Sequence, residues 1–220
     1  MLDLAKLNRR REAVEERLKE ARRMSLVPNA AEFARTRLGI ELDEVQEEVL
    51  LSQTKRGILH CTRQWGKSTV AVAKALHRAA SVAGSLVLVA SPSQRQSAEW
   101  MRKAEEIARH MGITPRGDGH NAISLALPNG SRIVGLPGIE ATVRGFSAVS
   151  MLLIDGASRV TEEAYKALRP TLAVGGGDLW LMSTPCGKRG FFYEIWEHGA
   201  ASGCECGCRR RSVRGYRGPF

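Results

Sequence analysis

A mostly parallel β-sheet flanked by helices, an α/β fold, is what this 220-residue sequence predicts. Short, continuously apolar runs of strand length recur through its middle, the pattern of strands buried on both faces. Between them lie stretches with apolar residues at three- and four-residue spacing, which read as helices in βαβ alternation. One of these strand-to-helix turns carries Gly66-Lys67-Ser68.

Residues 1–29 form an N-terminal charged helix. Within 3–23, Leu7, Val14 and Ala21 make one row and Leu4 and Leu18 another, too few heptads for a coiled coil. Residues 30–199 form the main domain. It opens with a helical stretch over 30–52 that Gly39 interrupts. GILHC (57–61) is a strand, 68–80 a helix, and SLVLVA (85–90) a second buried strand. Residues 97–112 are an amphipathic helix that stops at Gly112. Two apolar runs around Pro128-Asn129-Gly130 predict a hairpin over 122–138. MLLID (151–155) and LWLMST (179–184) complete the sheet. Residues 200–220 are rich in Gly, Cys and Arg without apolar periodicity. They read as an irregular tail of the composition that GC-rich codons give out of frame, so a frameshift near residue 201 is expected.

Bulk composition bounds the function classes. Apolar residues make up 43% and charged residues 25%, ordinary for a globular domain. No apolar run approaches the roughly 20 residues needed to span a bilayer, and the N-terminus lacks the apolar stretch of a signal peptide. A cytoplasmic protein with no membrane partner is expected. The net charge is +10, but residues 1–23 hold eight basic against five acidic side chains and residues 200–220 hold five arginines against one glutamate. The excess therefore sits mostly on the two ends and argues for nucleic acid no more than for solvated tails. Five cysteines, an odd number, argue against a disulfide framework. Cys204, Cys206 and Cys208 lack the two-residue spacing and second ligand pair of a zinc site.

The strongest local signal is Cys61-Thr62-Arg63-Gln64-Trp65-Gly66-Lys67-Ser68-Thr69, following a strand and opening a helix. This is the context of a phosphate-binding loop, in which backbone N–H groups and the helix dipole face the phosphates. The fold is accordingly that of a P-loop NTPase. Thr62, Arg63, Gln64, Trp65, Gly66, Lys67, Ser68 and Thr69 are its expected ATP-binding residues, with Lys67 on the β- and γ-phosphates and the Ser68 hydroxyl on Mg²⁺. Cys61 stands where the usual motif has glycine. A second signal is the apolar strand ending in Asp155, an acid placed to hold Mg²⁺. A third is the strand running into Ser183, Thr184 and Pro185, read as a γ-phosphate sensor or as an ordinary strand end.

In this order the residues resemble the ATPase domain of tailed-phage terminase large subunits, over roughly residues 33–199. Arg63-Gln64-Trp65-Gly66-Lys67-Ser68 is similar to the family's variant of the phosphate loop, which often lacks the leading glycine. The stretch 42–50 resembles its adenine-reading segment, with Gln46 as the glutamine that pairs with the base. The stretch 91–96 is similar to the segment after the second strand, and Val143-Arg144-Gly145-Phe146-Ser147 to the Arg-Gly element before the acidic strand. Ser183-Thr184-Pro185-Cys186-Gly187, with Gly190-Phe191-Phe192-Tyr193 and Trp196 beyond, resembles the coupling motif and its sequel. The resemblance implies a motor domain, phage or prophage encoded and working in the host cytoplasm, that packages double-stranded DNA into a procapsid. It further implies ATP and Mg²⁺ as cofactors, a homo-oligomeric ring on the portal protein, and a small terminase subunit as partner. It makes Lys67 and Asp155 catalytic and Arg63 an arginine finger or a nucleotide sensor.

Two departures qualify what is expected. The family's acidic strand ends Asp-Glu-Ala, whereas here Asp155-Gly156-Ala157 leaves Gly156 at the position of the catalytic glutamate. Glu162 and Glu163 lie six and seven residues on, poor substitutes by spacing. ATP·Mg²⁺ binding with slow or absent hydrolysis is expected, and Gly156→Glu should restore turnover. Family members also continue into a nuclease domain, which nothing after residue 199 supplies, so a truncated chain is expected. The alternatives are a superfamily 2 helicase-like translocase domain and an inactive nucleotide-binding remnant.

Overall fold

The computed structural model describes residues 27–137, 145–184, 186–198 and 209–212, together with Arg11 and Glu15. The helix expected over 3–23 lies outside the described residues except at those two positions, which are helical and ion-paired at 3.0 Å. Residues 138–144, Pro185 and the Cys204–Cys208 triplet also lie outside them.

Two helices, α1 (Ala30–Thr36) and α2 (Glu44–Leu51), replace the single interrupted stretch. Each begins where a side chain can take up orphan N–H groups. Asn29 accepts from Glu32 N, and Asp43 forms a capping box with Gln46. Strand β1 (Arg56–His60) then runs through residues 61–66 into α3 (Lys67–Ser81). Strand β2 (Leu86–Ser91) and α4 (Gln94–Arg109) follow, the helix capped by Ser93. The expected hairpin is present as β3 (Ser124–Ala126) and β4 (Arg132–Pro137), paired antiparallel. Strand β5 (Met151–Asp155), a 3-10 turn (Ala157–Arg159) and α5 (Glu162–Leu168) come next. Strand β6 (Asp178–Ser183) and α6 (Gly190–His198) close the main domain.

The strand order is β3-β4-β2-β5-β6-β1-β7, with every pairing parallel except β3–β4. The last strand, β7 (Arg209–Ser212), corrects the expectation of a wholly irregular tail, since these four residues pair with β1 from Gly57 to His60. Edge pairing is made by backbone groups and requires no apolar pattern, which is why composition did not reveal it.

Successive side chains of each inner strand serve opposite faces. Val87, Val89, Met151, Leu153, Trp180 and Met182 pack with α1–α4 on one side. Leu86, Leu88, Leu152, Ile154, Leu179 and Leu181 pack with α5 and α6 on the other. This two-sided burial is what the all-apolar runs announced. Because β1, β5 and β6 are parallel neighbours, their C-terminal ends emerge side by side at one edge, with Asp155 opposite Met182 and His60 opposite Ser183. Among the described residues no helix is long and apolar enough to cross a membrane.

One buried charge lies away from that edge. Lys74 on α3 is 7% exposed, with Nζ 3.3 Å from the Val49 carbonyl oxygen and 4.1 Å from the centroid of the Trp180 ring. Burial brings its ammonium down to about 8, with Asp178 resisting and Arg78 adding to the drop. An unfolded lysine titrates near 10.4. Between those values the unfolded chain binds more protons than the folded one, so this group adds stability as pH rises from about 8 towards 10. Lys74→Met is expected to remove that rise. Urea unfolding of both proteins across this range checks it, the difference between them isolating Lys74 from other groups.

Candidate phosphate-binding cleft

The loop between β1 and α3, the candidate phosphate loop, is held from both ends. At its start, Cys61 N donates to the Ser183 carbonyl at 3.0 Å, prolonging the β1–β6 pairing by one residue. Cys61 is 1% exposed and packs into the core beneath α3. Its backbone is outside the left-handed region, so this position does not call for glycine and an apolar side chain fits. The thiol is pushed up to about 12 by burial, which makes it an inert core residue and not a nucleophile.

At its end, Gly66 has φ 86° and precedes the first turn of α3, which has no side-chain cap. This φ is what calls for glycine, and a Cβ there would also displace the flexible end of Gln46, whose Nε2 would lie 2.7 Å away. The α3 N-terminus therefore keeps its orphan N–H groups and its positive dipole end for an anion. Gln64 is also left-handed, with φ 64°, an uncommon conformation for a side chain of this type that recurs at ligand-binding loops.

Lys67 and Asp155, far apart in sequence, meet at the sheet edge. Lys67 Nζ is 2.5 Å from Asp155 Oδ1, and the Ser68 hydroxyl donates to Asp155 Oδ2 at 3.2 Å. Both ion-pair partners are mostly buried, with side chains 19% and 15% exposed. Oxygen donors from Ser68 and Asp155 side by side are the ligand chemistry that a hard divalent cation such as Mg²⁺ takes. Among the described residues no group of three or more His, Cys, Asp or Glu gathers into a metal site of another kind.

A cleft of about 590 Å³ opens in front of this pair. The loop residues Thr62, Arg63, Gln64, Gly66, Lys67, Ser68 and Thr69 line one wall, and Gly156, Arg159, Ser183 and Thr184 the other. Gln96 and Lys103 reach in from α4. Lys103 Nζ donates to Thr69 Oγ1 at 2.6 Å. A second cavity of about 380 Å³ shares Lys67, Ser68, Gln96, Lys103 and Gly156 and is lined by Asp155 and Glu99 as its acids. Glu99 is itself paired with Arg102 at 2.5 Å.

The structure thus gathers the expected loop residues, Asp155, Ser183 and Thr184 at one place. Pro185 and Arg144 fall outside the described residues. Trp65 packs against the core instead of lining the cleft. Gln46, expected to pair with the base, is engaged with the chain's own backbone. Its carboxamide donates to the Trp65 carbonyl at 2.8 Å and accepts from Asp43 N at 3.2 Å, so it braces the loop from behind. Glu162 pairs with Lys166 at 2.7 Å, and neither Glu162 nor Glu163 lines the cleft, as their spacing suggested. Gly156 has φ 73°, and a Cβ there would meet Pro92 at 3.1 Å. The substitution expected to restore turnover is therefore strained. Sequence reasoning missed Lys103 and Arg159 as cleft residues. The spacing of Gln96, Glu99 and Lys103 along one face of a helix was the available signal for the first.

No protein-family model and no curated protein matches the sequence. Solved structures do match. The ATPase domain of the Thermus phage P74-26 large terminase superposes with a TM-score of 0.67 at 23% identity, over 79% of this chain and 76% of that one. This chain has the terminase ATPase fold. The HK97 bacteriophage large terminase gives a TM-score of 0.69 at 15% identity, over 86% of this chain and 44% of that one. The large terminase of a thermophilic bacteriophage, in complex with ATP-gamma-S, gives 0.59 at 13% identity, over 84% and 43%. The chain thus spans less than half the length of the two full large terminases it matches. In each the likeness is one of terminase ATPase architecture, at identities too low to carry individual residues across.

Proposed function

We propose that this chain is the ATP-binding motor domain of a phage terminase large subunit, acting in the packaging of double-stranded DNA into a procapsid. The observation that carries the reading is the contact of Lys67 and Ser68 with Asp155 in front of an uncapped helix N-terminus. In this reading the loop amides and Lys67 hold the β- and γ-phosphates, while Ser68 and Asp155 hold Mg²⁺. Mg²⁺ held by Ser68 and Asp155 would supply positive charge to offset that of the phosphates. Arg63, exposed at the cleft mouth, stabilises charge on the γ-phosphoryl or senses its presence. Ser183, Thr184 and Pro185 relay occupancy to the rest of the motor. Ser158 Oγ lies 2.6 Å from Ser183 Oγ, a contact by which the end of β5 feels the end of β6.

Hydrolysis is slow in this reading, because Gly156 leaves no carboxylate at the position after Asp155 to orient the attacking water. Loss of a general base costs on the order of 10²–10⁴ in rate. The working assembly is a homo-oligomeric ring on the portal protein, loaded with DNA through a small terminase subunit, in the host cytoplasm.

Purified chain tests this by calorimetric binding of ATP·Mg²⁺ and by phosphate release with and without double-stranded DNA. Binding with little release supports the reading. Absence of binding overturns it, and fast release by the unaltered chain overturns the part assigned to Gly156.

A further inference from the structure

The cleft is electrostatically unbalanced. Four cationic side chains line it, Arg63, Lys67, Lys103 and Arg159, and no carboxylate does. Lys67 is satisfied by Asp155 and Lys103 by the Thr69 hydroxyl. Among the described residues, the side chains of Arg63 and Arg159 make no hydrogen bond or ion pair. Two guanidinium groups facing one cavity without a protein partner call for a multiply charged anion between them.

Arg159 is also held in place by its backbone. It ends the 3-10 turn that follows Asp155, and its N–H donates to the Gly156 carbonyl at 2.9 Å. That turn is tied to β6 by Gly156 N donating to the Met182 carbonyl at 2.8 Å and by Ser158 N donating to Ser183 Oγ at 3.2 Å. Its first residue, Ala157, is fully buried. A side chain exposed to the cleft thus projects from a fixed backbone, so a ligand has only the side chain itself to order. The wall it stands on is the Asp155 wall, where Lys67 Nζ also points.

We infer that Arg159 is a γ-phosphate ligand supplied by the same chain, and that it makes the cleft prefer a nucleoside triphosphate over a diphosphate. The inference rests on the ATP-binding reading above. A guanidinium opposing Arg63 holds the terminal phosphate through paired charge-assisted hydrogen bonds, which a diphosphate cannot reach.

Calorimetric titration of ATP-gamma-S·Mg²⁺ and ADP·Mg²⁺ into the unaltered chain, Arg159→Ala and Arg159→Lys tests it. Arg159→Ala is expected to weaken ATP-gamma-S on the order of 10- to 100-fold and ADP by less than about 3-fold. Arg159→Lys should recover part of the loss, keeping charge without the planar fork. The exposed side chain has no partner to lose, so melting temperatures should match. If both nucleotides weaken equally, or neither does, Arg159 is no γ-phosphate ligand although the chain binds ATP. If the unaltered chain binds neither nucleotide, the ATP-binding reading falls and this inference with it.

Discussion

Lys67→Ala is expected to abolish useful nucleotide affinity, weakening ATP-gamma-S·Mg²⁺ by on the order of 10²- to 10³-fold. The reason is local and double. The ammonium is the one cation of the loop already aimed at the Asp155 end of the cleft, 2.5 Å from that carboxylate. Its removal also leaves the Asp155 carboxylate mostly buried without a countercharge, next to the place that the proposed reading gives to the phosphates. Asp155→Asn should act in the opposite electrostatic sense. It removes the metal's carboxylate while leaving the cationic wall intact, so metal-free nucleotide should bind at least as well as before, and Mg²⁺ should no longer help. Titrations with Mg²⁺ and with EDTA separate the two variants. Retention of full Mg²⁺-dependent affinity by Lys67→Ala would mean that the cleft is not a phosphate site, and the assignment of the whole edge would go with it. Lys67→Arg is not a conservative control, because a planar fork cannot replace a point charge in a closed loop.

The sheet was legible for a physical reason. Strands such as 85–90 and 151–155 are apolar on both faces because helices cover both, and such runs are hard to mistake. The loop between β1 and α3 was legible as a candidate phosphate site because Gly66, Lys67 and Ser68 are adjacent in sequence. What escaped depends on contacts between distant segments. Lys103 looks like any solvated charge on an amphipathic helix until its amine meets Thr69, 34 residues earlier. Arg159 looks like a turn residue until the pairing of β5 with β6 puts it in the cleft. Gln46 carried a family expectation, yet its neighbours give its amide to the loop backbone, which depends on how α2 packs and not on local pattern. The pairing of Arg209–Ser212 with β1 was invisible because backbone groups make it.

Gly156→Glu is the second large effect expected, and the geometry of Gly156 shapes it. A catalytic carboxylate is worth on the order of 10²–10⁴ in rate, and Gly156 lines both the main cleft and the cavity beside Asp155, so a side chain from here starts in the right neighbourhood. Against this, φ is 73° and ψ 32°, and a new Cβ would lie 3.1 Å from Pro92 Cγ and 3.2 Å from its Cδ. A side chain in the left-handed region costs about 1–2 kcal/mol, and the proline ring has to yield a few tenths of an ångström. The expected result is therefore a gain in phosphate release at the lower end of that range, on the order of 10²-fold, together with a loss of about 1–3 kcal/mol in stability. Gly156→Ala separates the two terms, since it carries the strain without the carboxylate: its stability should fall by the same amount while turnover stays at the level of the unaltered chain. Steady-state phosphate release and urea unfolding on the three proteins decide the matter. Equal turnover for the glutamate and alanine variants, both folded, would show that the water-orienting group does not belong at this position in this chain.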